Sequence, residues 1–196
     1  MIVGIDVDDV LYQTSRMVRQ LVPDILDKMG ITYTVNETAY LFKDVYGLTD
    51  EQCDAIGKKL EWFSLKYIDI TAVHALKRLK QAQPDVDLQI VTWRPKQNTL
   101  PITQLLKQYF YLDIPVAHCL DDGTSKATFC DNNGISLMLD DYESVIRDFT
   151  PANKCKGVLV AANKHVLHNR AFADEYHTVL TNWDDLNNLC LSVKKT

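Results

Sequence analysis

Four residues, Ile2-Val3-Gly4-Ile5, form an apolar run that ends abruptly in Asp6-Val7-Asp8-Asp9. A short apolar run with a β-branched bias, cut off by charge, reads as a buried strand of a parallel sheet. Its carboxyl end then carries the acids. The pattern recurs along the chain. Leu88-Gln89-Ile90-Val91, Val116-Ala117-His118, Leu137-Met138-Leu139, Gly157-Val158-Leu159-Val160 and Thr178-Val179-Leu180 all read as strands. Helical periodicity falls between them over 97–110, 124–133 and 142–149, and Asn182 caps a last helix that starts at Trp183. Repeated strand–helix alternation predicts an α/β fold, a doubly wound parallel sheet with helices on both faces.

Residues 14–74 break this alternation, because they read as helix throughout. Val18, Leu21, Val22, Ile25, Leu26 and Met29 recur at helical spacing and Gly30 supplies a stop. Pro23 lies inside that stretch and predicts a kink or two short helices. Further helices are expected over 36–46, 49–67 and 71–82, with Thr49 and Gln52 forming a capping box. The simplest account is a small helical cap (14–74) inserted after the first strand of a core made of 1–13 and 75–196.

Composition excludes several classes. A chain of 196 residues, 46% hydrophobic and 24% charged, suits one α/β domain with a small insertion. Its net charge is −5 and its basic residues are scattered, so no nucleic-acid polymer is expected as a partner. No apolar stretch approaches the ~20 residues of a membrane span, and the opening run meets acids too soon for a signal peptide. The five cysteines are odd in number and form no CxxC, which predicts reduced thiols in a cytoplasmic protein. His165 and His168, three apart, suit a surface pair better than a metal site. A homodimer is left open.

In a parallel sheet, the groups that follow each strand converge on one edge. Here those groups are Asp6 and Asp8, Thr92 and Arg94, Lys126 at a helix start, and Asp140 with Asp141. Clustered carboxylates resist ionisation unless a cation sits among them. Mg²⁺ meets that need, since it takes hard oxygen ligands and keeps room for a substrate phosphate, which makes Asp6, Asp8, Asp140 and Asp141 its candidate ligands. Lys126, Thr92 and Arg94 are then placed to hold phosphoryl oxygens. Plainer roles compete: acids stabilise a helix start at Asp140-Asp141, Thr92 caps a strand, and Arg94 serves equally as a salt bridge within the fold. Phe42, Trp62 and Phe63 are candidates for a substrate pocket, although their helical spacing suits the core of the cap.

These residues, in this order, resemble the haloacid dehalogenase-like phosphatase superfamily. The resemblance rests on a strand followed by Asp6-Val7-Asp8, a strand ending in Thr92, Lys126 opening a helix, and Leu139-Asp140-Asp141. Within that superfamily the chain is similar to the 5'(3')-deoxyribonucleotidases and their bacterial and phage relatives, through Thr92-Trp93-Arg94-Pro95, Ser125-Lys126 and the region of Trp183. The resemblance implies that Asp6 attacks phosphorus. It implies that Asp8, its carboxylate free because the metal takes its backbone carbonyl, protonates the leaving oxygen and then activates water. Asp6 and Asp140 would bind Mg²⁺, with Asp141 nearby or through water, and Thr92 and Lys126 would grip phosphate. The implied substrate is a small phosphorylated metabolite, foremost a nucleoside monophosphate. Asp9 departs from the pattern, which has glycine after the second Asp. A sugar-phosphate phosphatase is the rival enzyme. A phosphorylatable receiver domain is disfavoured, because its acidic pair follows the first strand and its phospho-acceptor a later one.

Overall fold

The computed structural model describes residues 1–37, 39, 41–60, 64–94, 96–118, 124–162 and 178–194. Among them, six strands form one sheet: β1 (Ile2–Ile5), β2 (Asp87–Thr92), β3 (Val116–His118), β4 (Ile135–Asp140), β5 (Lys156–Val160) and β6 (Val179–Leu180). The order is β3-β2-β1-β4-β5-β6 and every pairing is parallel. The expected α/β doubly wound sheet is therefore the fold. β1 lies at the centre, with Ile5 in register with Ile90 on one side and Leu139 on the other. The chain moves outward through β2 and β3 and then returns to the far side of β1 through β4. That reversal opens a crevice at the carboxyl ends of β1 and β4, where ligands of such sheets bind.

Eight α-helices are described: α1 (Thr14–Met29), α2 (Phe42–Tyr46), α3 (Asp50–Gly57), α4 (Ile70–Ala82), α5 (Lys96–Phe110), α6 (Lys126–Asn132), α7 (Glu143–Arg147) and α8 (Leu186–Val193). No helix among the described residues is long and apolar enough to cross a membrane. The described residues between β1 and β2 contain no strand. Its departing and returning ends lie side by side: the Gln13 N–H donates to the Tyr67 carbonyl (2.7 Å) and the Asp69 N–H to that of Leu11 (2.9 Å). One apolar cluster joins the two regions, running from Ile5 and Ile90 to Val22 of α1 and Ile56 of α3.

The inserted segment holds less helix than its periodicity suggests. Among the described residues of 36–46 only Phe42–Tyr46 is helical, because Asn36 folds back and its N–H bonds the Val45 carbonyl (2.7 Å). Of 49–67, helix covers Asp50–Gly57, and a 3₁₀ turn follows at Leu65–Tyr67. The Thr49/Gln52 capping box is present. α1 passes Pro23 as one helix; Met17 and Val18 before it and Val22 and Leu26 around it are buried in the same core, holding both halves in line. It stops at Gly30, whose φ of 67° suits glycine. α4 is uninterrupted from Ile70, so residues 74 and 75 lie within it, and Asp69 caps it by accepting from the Thr71 and Ala72 N–H groups (2.9 and 3.1 Å).

β5 packs close to the loop after α7. A Cβ at Gly157 would lie 2.7 Å from the Phe149 ring and 2.8 Å from its Cβ, and neither atom can swing aside. Gly157→Ala is expected to destabilise the fold by about 1–3 kcal/mol through overpacking. Urea unfolding should register this as a lower midpoint at an unchanged m value.

Candidate active site

Asp6 is the first residue beyond β1, and its N–H still bonds the Leu139 carbonyl (2.9 Å), so the sheet itself fixes its backbone. Thr92 and Asp140 are the last residues of β2 and β4. Lys126 opens α6, and its buried ammonium donates to Asp6 Oδ1 (2.7 Å) and Asp140 Oδ2 (2.6 Å). Asp140 also accepts from the Tyr142 N–H (2.8 Å), which aims its carboxylate. Asp6, Asp8, Thr92, Arg94, Lys126 and Asp140 line one small cavity of about 80 Å³. The structure thus brings together six of the residues marked in the sequence, and Asp141 adjoins them.

Asp141 carries the test for a cation. Both of its carboxylate oxygens are buried and lack a hydrogen-bond partner among the described residues. An unpaired buried carboxylate is costly. Oxygens of Asp6, Asp140 and Asp141 lie within 4.8 Å of one another, a spacing that one ion can span. The donor set is all hard oxygen, as Mg²⁺ prefers. Burial, then the nearby charges of Asp9, Asp140, Asp6 and Asp8, push the Asp141 carboxyl well above the usual range. Burial pushes Asp6 up to about 7; Lys126 opposes this, while Asp140 and Asp8 add to it.

Asp8 and Arg94 are paired with each other. Arg94 grips both carboxylate oxygens of Asp8, through Nη2 and through Nε (3.2 Å), and the Thr14 hydroxyl donates to the same group at 2.5 Å. Burial works against the charged form of Asp8, but Arg94 outweighs it and holds the carboxyl below its ordinary value. Arg94 is itself buried, 5.8 Å from the Tyr12 ring centroid, and turned onto Asp8. Of its two readings, phosphate contact or salt bridge, this structure contains the salt bridge. The pairing offsets the charge of Asp8, which otherwise acts on Asp6. Thr92 is buried, and its hydroxyl accepts from the Arg94 N–H (3.0 Å), which shapes the turn that aims Arg94.

Asp9, in the position of the usual glycine, keeps the left-handed backbone that glycine would adopt (φ 52°). Its carboxylate accepts from the Ser15 hydroxyl and N–H (2.9 Å), and so caps α1 from a distance. It does not face solvent, and its charge acts on Asp141 of the trio. Burial raises its carboxyl to about 7, against the bonds from Ser15. Phe42 lies on a second cavity, of about 200 Å³, between α1 and α2; its wall includes Asp8, Thr14, Arg19 and Val45. Trp62 and Phe63 lie outside the described residues, as do Cys119, His165 and His168. Two residues escaped the sequence reading. Thr14 contacts Asp8, and its signal was a hydroxyl residue opening the first inserted helix. Trp93 is 44% exposed over the site, with its ring 4.9 Å from the Lys126 ammonium.

With this geometry in place, known structures can be compared. No family model and no curated protein matches the sequence. Solved structures do match in shape. A haloacid dehalogenase-like protein of Agrobacterium tumefaciens superposes with a TM-score of 0.70 over 98% of both chains, at 16% identity. The fold is haloacid dehalogenase-like. A family hydrolase of that type from Deinococcus radiodurans, determined with bound phosphate and sodium, gives 0.66 over 98% of this chain and 95% of its own, at 14% identity. A protein of Thermotoga maritima described as a β-phosphoglucomutase homologue gives 0.62 over 98% and 99%, at 14% identity.

The carboxyl shifts set two pH windows of opposite sign. Asp6, raised to about 7, and Asp141, raised well above its ordinary value, cost the metal-free fold stability as pH climbs from the ordinary carboxylate range through 7. Asp8, lowered by Arg94, stabilises the fold above that range, and the gain is lost as pH falls through its folded value. At pH 8 without metal, Asp141→Asn is therefore expected to melt roughly 3–6 °C above the wild type. Added Mg²⁺ should raise the wild-type midpoint and leave the variant nearly unmoved, as scanning calorimetry at pH 5 and pH 8 would reveal.

Proposed function

We propose that this protein is a Mg²⁺-dependent phosphomonoester hydrolase that works through a phosphorylated Asp6. The supporting observation is the convergence of Asp6, Thr92 and Asp140, from the ends of three parallel strands, around the ammonium of Lys126. Likeness in fold to the phosphate-bound Deinococcus hydrolase agrees with it. Asp6, Asp140 and Asp141 would hold the ion, which lowers repulsion between the Asp6 carboxylate and a phosphate dianion.

The residues then divide the work. Thr92 and Lys126 orient the phosphoryl oxygens and offset charge in the transition state. A carboxylate oxygen of Asp6 attacks phosphorus, and the bond to the leaving oxygen breaks. Asp8 gives that oxygen a proton, then takes one from the water that attacks the phosphorylated Asp6 and restores its carboxylate. Arg94 holds Asp8 ionised, which is the form needed in the second step. In the first step the incoming dianion repels the Asp8 charge and competes for Arg94, and both effects favour protonation.

Two cavities share Asp8: the acidic one at the strand ends, and the one walled by Phe42 and Val45. A phosphate in the first and its leaving group in the second would place the ester oxygen at Asp8. An aromatic and aliphatic wall suits a nucleoside, so a nucleoside monophosphate is the favoured substrate. A sugar phosphate is the second reading, and the fold likeness to the Thermotoga protein favours it.

Phosphate release from a panel of nucleoside and sugar monophosphates, with Mg²⁺ or EDTA, tests the proposal. Activity should require metal, and Asp6→Asn should lower it by about three orders of magnitude. Wild-type protein inert across the panel would sink the enzyme reading. Asp8→Asn should cost about 10²–10⁴-fold on alkyl phosphates but far less on p-nitrophenyl phosphate, whose phenolate departs without a proton. Phe42→Ala should raise KM for nucleoside monophosphates more than for glycerol phosphate; equal effects would favour a small sugar substrate.

A further inference from the structure

Away from the catalytic end, a cavity of about 470 Å³ opens where α4, the start of β2 and the end of α5 meet. It is larger than either cavity at Asp8, and its size is that of a small-molecule site. Leu88, Leu112 and Pro115 supply apolar wall, Gln81 an amide, Lys77 an ammonium and Tyr111 a phenol ring. Leu88 precedes Thr92 by four residues along β2, roughly 13 Å, so the cavity is separate from the phosphate site.

Tyr111 is the unusual residue. It ends α5 in a left-handed turn, with φ of 53°, its N–H bonding the Lys107 carbonyl (3.2 Å). That position favours glycine or asparagine, and a bulky side chain there is strained. Packing does not account for the choice, because Tyr111 is 87% exposed. Strain of this kind clusters at binding sites. The charges on the rim narrow the class of ligand. Asp113 is paired with Lys107 (2.5 Å), and Asp87 lies 3.9 Å from Lys80, whose ammonium also bonds the Val86 carbonyl. Among the described residues Lys77 makes no such pair, which leaves one positive charge on the wall of the cavity.

We propose that this cavity is a second ligand site, for a small anion bearing a planar aromatic group. The aromatic group stacks on Tyr111 over the Leu88–Leu112 wall, and its anionic group meets Lys77. The inference does not depend on the phosphatase reading.

The fluorescent probe 1-anilinonaphthalene-8-sulfonate, aromatic rings carrying one sulfonate, tests it on the full chain. The wild type should bind one probe per chain, saturably. Tyr111→Gly and Lys77→Gln should each weaken binding about tenfold or more, a loss of roughly 1.4 kcal/mol per tenfold. Tyr111→Gly should also raise the thermal midpoint by roughly 2 °C, since glycine relieves the turn. Absence of saturable binding, equal binding by both variants, or displacement of the probe by orthophosphate with Mg²⁺ would overturn the proposal. A wild-type dimer in sedimentation that Tyr111→Gly dissolves would overturn it too, assigning the face to a second copy of the chain.

Discussion

The structure is organised around the cost of crowding carboxylates. Asp6, Asp8, Asp9, Asp140 and Asp141 all lie near the carboxyl ends of β1 and β4, and four of the five are buried. Each is handled differently. Lys126 bridges Asp6 and Asp140, Arg94 and Thr14 hold Asp8, and Ser15 satisfies Asp9. Among the described residues, Asp141 finds no partner for either carboxylate oxygen. A buried group without a partner is tolerated only where function or a bound ion accounts for it.

The parallel sheet makes such crowding achievable. Strands that all point one way deliver their last residues to one edge, so groups more than 80 residues apart in sequence become neighbours. Asp8 and Arg94 are 86 positions apart and Asp6 and Lys126 are 120 apart, yet each pair is hydrogen-bonded. The inserted segment adds its own side chains to that edge, with Thr14 touching Asp8 and Phe42 facing the adjoining cavity. Core and insertion therefore both contribute to the surroundings of Asp8.

Much of this was legible from periodicity. Strand ends announce themselves where an apolar run meets a polar residue, so Asp6, Thr92 and Asp140 could be marked one by one. Helix boundaries within 31–67 were harder to read. An extended stretch held by a long-range bond, as at Asn36, has the same local composition as a short helix. The role of Asp9 was hidden for a related reason. Capping α1 from five residues upstream depends on a left-handed turn that spacing does not encode.

By itself, then, the order of residues determined the α/β alternation, the acids at the end of the first strand and the inventory of charges at the sheet edge. These follow from local chemistry, which each segment carries with it. Only the tertiary structure decided which cation meets which carboxylate: Lys126 with Asp6 and Asp140, Arg94 with Asp8, and Asp141 with none. Pairing of that kind is a property of distance and burial, and both arise only once remote strands lie side by side.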